Sequence, residues 1–382
     1  MCRLCSARAF KLRMGRLYTF FCALRRLISV FVPAHLSLLI LITDSVRAES
    51  PRVILIGGIF DLTAGGAIWG KTERNSFELA IRDFRRRHPE VSVEPRVEDS
   101  MFSSRQTVSA FQKLVSVDGV SFVVGPTWET AVAMMPLCEA KRVVCFVPSY
   151  NGKEFSARPW RYNFTAWFHD RGYASAIVDH LNKGSFPSLA IFAALTPYYD
   201  GLVETIESGA RPSIVSNQRV TLEERDFRTM ISKVPRDVGA LVMLLDNAGQ
   251  IQAFLKQWSE LRLDRPVIYT DDLILYLEPP EDILRYGFKV RYSFPVMNEA
   301  RQTDFIKRYK SEFKIKPEGS SGCVAYDETT ILLECIMKEG LDTSKVGSCI
   351  SNTNNFHGYS GTISFEGSQA VNGREMEVRS LS

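Results

Sequence analysis

VILIGGIFDLTAGGAIWGKT, residues 53–72, decides how the rest of the chain is read. The apolar run Val53 to Ile59 has the composition of a buried strand, and it passes through a Thr/Ala/Gly-rich turn into a segment with helical spacing. Taken literally, Gly65-x-x-x-x-Gly70-Lys71-Thr72 has the spacing of a phosphate-binding loop, in which a glycine-rich turn wraps phosphates ahead of a helix. Leu241-Val242-Met243-Leu244-Leu245-Asp246 adds to that reading as an apolar strand ending in a magnesium-binding acid. Two features oppose it. Phe60-Asp61-Leu62-Thr63-Ala64 separate the strand from the first glycine and include an acid, and Ile68 and Trp69 are bulky where backbone must approach phosphate closely. The alternative is the first strand, ligand loop and first helix of an α/β lobe.

The preceding residues bear on the choice. Residues 1–48 carry eight Lys or Arg against the single acid Asp44, followed by an apolar run from Leu27 to Ile42. This is the pattern of a signal peptide, with Val46-Arg47-Ala48 as the cleavage site and Met14 as an alternative start. Pro33 and His35 interrupt the run, which makes it too short for the roughly 20 apolar residues of a spanning helix. Export would also separate the chain from the usual pool of ATP. Removing a +7 segment from a +4 chain leaves about −3, so the basic character of the whole chain is no argument for nucleic acid. Five cysteines follow the leader, and in an oxidising compartment a pair such as Cys335 and Cys349 could bridge, with at least one thiol left over.

Beyond residue 50 short Val/Ile/Leu-rich runs alternate with segments of helical periodicity. Strands are expected at 53–56, 91–97, 120–124, 143–147, 188–192, 214–220, 240–245, 267–269 and 289–294. Helices are expected at 74–87, 105–115, 130–140, 172–181, 201–208, 248–261, 303–313 and 323–338, and a terminal hairpin-like pair at 361–365 and 375–378. Such alternation predicts parallel sheets flanked by helices. It breaks near Arg161 to Trp167 and restarts, which predicts two lobes with a cleft at the carboxyl ends of their strands.

Several stretches carry a resemblance through their order along the chain: IGGIFDLTAGGAIWG, NSFELAIRDF, FQKLVSVDGVSFVVGPTWETAVAMMPLCEAKRVVCFVPSY, LTPYYDGL, QAFLKQWSELRL and FHGYSGTISFEGSQA. Together they resemble type I periplasmic solute-binding proteins of the Leu/Ile/Val-binding family, receptors of ABC importers, over residues 51–380. The resemblance implies a two-lobed α/β fold with a three-crossing hinge near Asn163, Pro295 and Tyr359. Lobe one would be 51–163 with 296–358, and lobe two 164–295 with 359–382. It further implies an extracytoplasmic monomer, a membrane permease as partner, no cofactor and no enzymatic activity. A sensory module passing closure to a signalling partner is the rival reading.

The same resemblance assigns ligand positions. Thr127, Trp128, Glu129 and Thr130 fall on the loop and helix start that receive a ligand carboxylate, an arrangement suited to anions through hydroxyls and exposed helix N–H groups. Glu129 stands where the family has a serine-like residue and would repel that carboxylate. Ser149, Tyr150 and Asn151 match the segment lining the same pocket, with Tyr150 expected to shrink it or supply a wall. Tyr198 fits the ligand tyrosine and Asp271 the acid that pairs with a ligand ammonium, and Trp69 is expected as the apolar wall. Thr127 could equally be a helix cap, Asp271 a turn residue and Trp69 core. No Gly-x-Ser-x-Gly elbow occurs, and the histidines after the leader lack metal-ligand spacing.

Overall fold

In the computed structural model, residues 52–127, 130–277, 279–371 and 375–382 are described. The expected leader, Trp128 and Glu129 lie outside them. The run that opens at Val53 forms strand β1 (Arg52–Phe60), an interior strand of a sheet with β2 (Val91–Asp99), β3 (Phe122–Val124), β4 (Val144–Phe146) and β5 (Asn163–Phe164). The order is β2-β1-β3-β4-β5, and the pairs β1 with β3, β3 with β4 and β4 with β5 are parallel. β3 and β4 are buried on both faces, which is why they read as unbroken apolar runs.

A second sheet repeats this plan with β6 (Ser188–Ala194), β7 (Ser213–Val220), β8 (Ala240–Leu244), β9 (Val267–Thr270) and β10 (Val290–Pro295). After it come two short hairpins, β11 (Phe356–Gly358) with β12 (Gly361–Ile363) and β13 (Phe365–Glu366) with β14 (Gln369–Ala370), and then β15 (Met376–Ser380). The order of the second sheet is β15-β10-β9-β8-β6-β7, antiparallel only where β15 meets β10. The expected pairing of 361–365 with 375–378 does not form. β12 closes on β11 across the tight turn at Tyr359-Ser360, which leaves the later strand to extend the second sheet.

Side-chain patterning explains how the helices seat. Helix Ala67–Arg87 turns Phe77, Ile81 and Phe84 into the core that holds Ile54, Ile56 and Phe60 of β1. Each such buried side chain contributes about 1.5–3 kcal/mol relative to exposure. Its Leu79 and Ala80 pack instead with Phe305, Tyr309 and Cys323, from helices Glu299–Phe313 and Ser321–Glu339. The helices after β10 therefore cover the first sheet. Helix starts follow capping chemistry: Thr196, Asn247 and Asn298 each accept a hydrogen bond from the third backbone N–H beyond them.

Among the described residues, the segments that leave β5 and β10 each lie against the later chain that leads to β15. Thr165, after β5, forms a parallel bridge with Gln369 and exchanges backbone bonds with Ser368 and Ala370. Val296, after β10, donates to the carbonyl of Glu375 at 2.9 Å. Disulfides join Cys138 to Cys145 and Cys335 to Cys349, and Cys323 is a buried free thiol. No described helix is long and apolar enough to cross a membrane.

Candidate functional site

The first helix begins at Ala67, seven residues before the expected Arg74, and this removes the phosphate loop. Gly70 N–H already donates to Gly66 O at 3.0 Å within the helix, and Gly70 packs so closely on the Asp61 backbone that a Cβ would lie 2.1 Å from its carbonyl oxygen. Lys71 faces solvent, while the Thr72 hydroxyl accepts from the Glu318 backbone N–H at 3.0 Å. The N–H groups of Ala67, Trp69 and Gly70 are thus spent on backbone carbonyls of the turn rather than aimed at an anion. The intervening residues that spoiled the motif instead form a braced turn. Asp61 is fully buried and accepts from Phe102 N–H at 2.9 Å and from the Ser100 hydroxyl. Asp99 accepts from Leu62 N–H at 2.9 Å and the Thr63 hydroxyl at 2.7 Å.

This turn ends at a cavity of about 550 Å³, its open mouth included, set at the carboxyl ends of the parallel strands of both sheets. From the first lobe come Trp69, Thr127 after β3 and Ser149 after β4, together with Gly319, Ser320 and Ser321. From the second come Tyr173, Tyr198 after β6, and Asp271, Asp272, Leu273 and Tyr276 after β9. Trp167 reaches it from the first crossing. Tyr276 of the second lobe and Trp69 of the first both lie against Gly319. Gly125 lets the Thr127 loop close on β1: its φ is +106°, and a Cβ there would fall 1.8 Å from Ile59 O.

The electrostatics of the lining are one-sided. Asp271 is 2% exposed, and burial pushes its carboxyl up to about 7, with the Tyr198 hydroxyl donating to it and the nearby Asp246 charge adding to the rise. Asp272 is raised too, by burial and then by Asp271. Beneath the opposite wall Glu73 is fully buried, also pushed to about 7 by burial, and its Oε2 accepts from the Thr127 hydroxyl at 2.8 Å. The Tyr173 hydroxyl is buried at the cavity with no hydrogen-bond partner among the described residues.

Of the positions assigned from sequence, Trp69, Thr127, Ser149, Tyr198 and Asp271 come together around this one cavity. Three do not reach it. Thr130 donates to the Thr127 carbonyl at 2.6 Å and braces the loop. Asn151 donates to the Trp167 carbonyl at 3.0 Å and props that crossing. Tyr150, expected as a wall, bonds Glu154 and packs on Phe155, because the chain turns into helix Lys153–Ser156 directly after it. Sequence reading missed Trp167, Tyr173, Asp272, Tyr276 and residues 319–321. Asp272 adjoins an assigned acid and was within reach of a pattern argument. The others come from distant crossings and helix starts that only folding brings to the cleft.

The family model described as periplasmic binding protein matches residues 53–380. The chain belongs to the periplasmic binding protein family. Solved structures agree on the two-lobed fold. The branched-chain amino acid transporter substrate-binding protein LivJ of Streptococcus pneumoniae, in complex with isoleucine, is 17% identical, with 86% of this chain and 100% of that one covered at a TM-score of 0.73. A solute-binding protein of an ABC transporter from Rhodopseudomonas palustris BisB5, in complex with 3,4-dihydroxybenzoic acid, is 20% identical over 86% and 92% of the two chains, with a TM-score of 0.69. Another from R. palustris, in complex with 4-hydroxybenzoate, is 14% identical over 86% and 92%, with a TM-score of 0.73. No curated protein sequence matches this chain. Within this periplasmic binding protein the cavity occupies the crevice outside the strand carboxyl ends, where open α/β sheets take ligands.

Proposed function

We propose that the chain is the extracytoplasmic solute-binding receptor of an ABC importer, and that it holds a small polar solute in this cavity by closing one lobe on the other. The observation that carries the reading is the cavity itself: polar groups from both lobes converge on a space walled by aromatic rings, at the strand ends where such sheets bind. Asp271 and Tyr198 are proposed to hold the nitrogen end of the solute, through a charge-assisted hydrogen bond to the acid. The hinge is proposed at residues 165–169 and 296–298 and at Val371 and Glu375 ahead of β15. The backbone bonds linking Thr165 with Ser368 and Val296 with Glu375 support it, and they support a reading in which residues 359–370 move with the first lobe. Membership of the family, the disulfides and the leader pattern support an extracytoplasmic site of action, and the family supports a membrane permease as partner.

The test is a thermal-shift and calorimetric screen of the processed protein against amines, amino acids, amides and small carboxylates, followed by small-angle scattering on any hit. A ligand that raises Tm and lowers the radius of gyration is expected, because closure is a population shift driven by contacts made only in the closed form. A ligand that binds with no change in dimension would reject closure.

A further inference from the structure

We propose that the solute is a small organic ammonium ion with no carboxylate of its own. This rests on the reading of the cavity as the ligand site. Four observations lead to it. Asp271 and Asp272 both line the cavity, and none of the described residues that line it is Lys, Arg or His. Glu73 and Asp61 add buried acids behind the first-lobe wall. Among the described residues none of these four acids forms an ion pair with a basic side chain. A cavity of this sign is completed by a cation, since a buried carboxylate without a positive partner carries a large desolvation cost.

The walls point the same way. Trp69, Trp167, Tyr173, Tyr198 and Tyr276 surround the space, and aromatic faces attract cations most strongly where water is excluded. The hydroxyl of Tyr173, a residue 1% exposed, has no partner among the described residues and supplies a lone pair to an N–H donor. At the far wall the Thr127 hydroxyl, where an amino-acid carboxylate would be received, spends its proton on Glu73. It presents lone pairs and a carboxylate behind them, which repel an anionic group. A zwitterion would therefore gain at Asp271 and lose at Thr127, whereas an amine gains at the first and meets no penalty at the second.

Matched probes separate these cases on the full processed protein: isoamylamine against leucine, and phenethylamine against phenylalanine. The neutral isosteres isoamyl alcohol and 2-phenylethanol serve as the controls for charge. At least one amine is expected to bind 10-fold or more tighter than both its carboxylated twin and its neutral isostere. An amino acid or a neutral isostere that binds as tightly as the amines overturns the ammonium assignment while leaving the receptor reading intact. Failure of every probe class overturns both. Asp271→Asn is expected to weaken the amine by about 30-fold or more, the usual scale for removing one partner of a buried charge pair. Glu73→Gln is expected to narrow the preference for amine over amino acid by at least 10-fold, and an unchanged ratio in a folded variant would overturn the account of the Thr127 wall.

Discussion

Gly125 shows how one residue sets the site. At φ +106° and with Ile59 O where a Cβ would stand, any side chain must either push β3 from β1 or abandon the turn that carries Thr127. Gly125→Ala is expected to cost about 3 kcal/mol or more in stability, read from denaturant unfolding, and to weaken ligand binding in whatever fraction folds. An alanine variant as stable as the parent would show that the loop has another accessible conformation. In sequence, Gly125 was one more loop glycine beside a proline. Its need for this φ comes from the neighbouring strand, which no local pattern reports.

Elements were the most legible level. Apart from the first helix, which starts seven residues early, the long helices and central strands fall within a few residues of the positions read from apolar periodicity, because that periodicity is the cause of their burial. Two-residue β5 and helix Thr343–Ser351 were not read, since the first is too short to show a period and the second carries mixed spacing. The Cys335–Cys349 pairing anticipated from sequence is present and ties this helix to Ser321–Glu339. Because the loop it closes is on the order of 15 residues, Cys335→Ser with Cys349→Ser is expected to lower unfolding stability by about 3 kcal/mol. The readout is the denaturation midpoint in non-reducing buffer. A double variant within a few tenths of a kcal/mol of the parent would show that the bridge adds nothing.

At the scale of the whole molecule, the acids around the cleft couple ligand, pH and stability. Asp271 and Glu73 are held near 7 by burial, far above their values of 3.8 and 4.5 in an unfolded chain. Between those limits the folded form binds more protons than the unfolded one, so their contribution is full at low pH and is lost as pH rises through about 7. His169 and His180, lowered by burial, act in the opposite direction, but only below their ordinary value of 6.5. Tm of the ligand-free protein is therefore expected to fall from pH 6.5 to 8.5, and Asp271→Asn to flatten that fall. A bound amine should restore Tm most at the upper end, where the acids are ionised. A Tm that rises across this range would contradict the charge placement. What the sequence determined by itself was the α/β class, the two-sheet plan and five of the residues at the cleft, since these follow from apolar periodicity and the order of recognisable segments. Lys71 and Thr72 already read as residues of a helix's first turn, and only the tertiary structure showed Lys71 in solvent and the Thr72 hydroxyl bonded to Glu318. It alone turned Tyr150 away, brought Trp167, Tyr173 and Tyr276 to the cavity, and placed Glu73 behind Thr127. The physical reason is that the direction of a side chain at a loop or crossing depends on neighbours remote in sequence, and periodicity does not encode them.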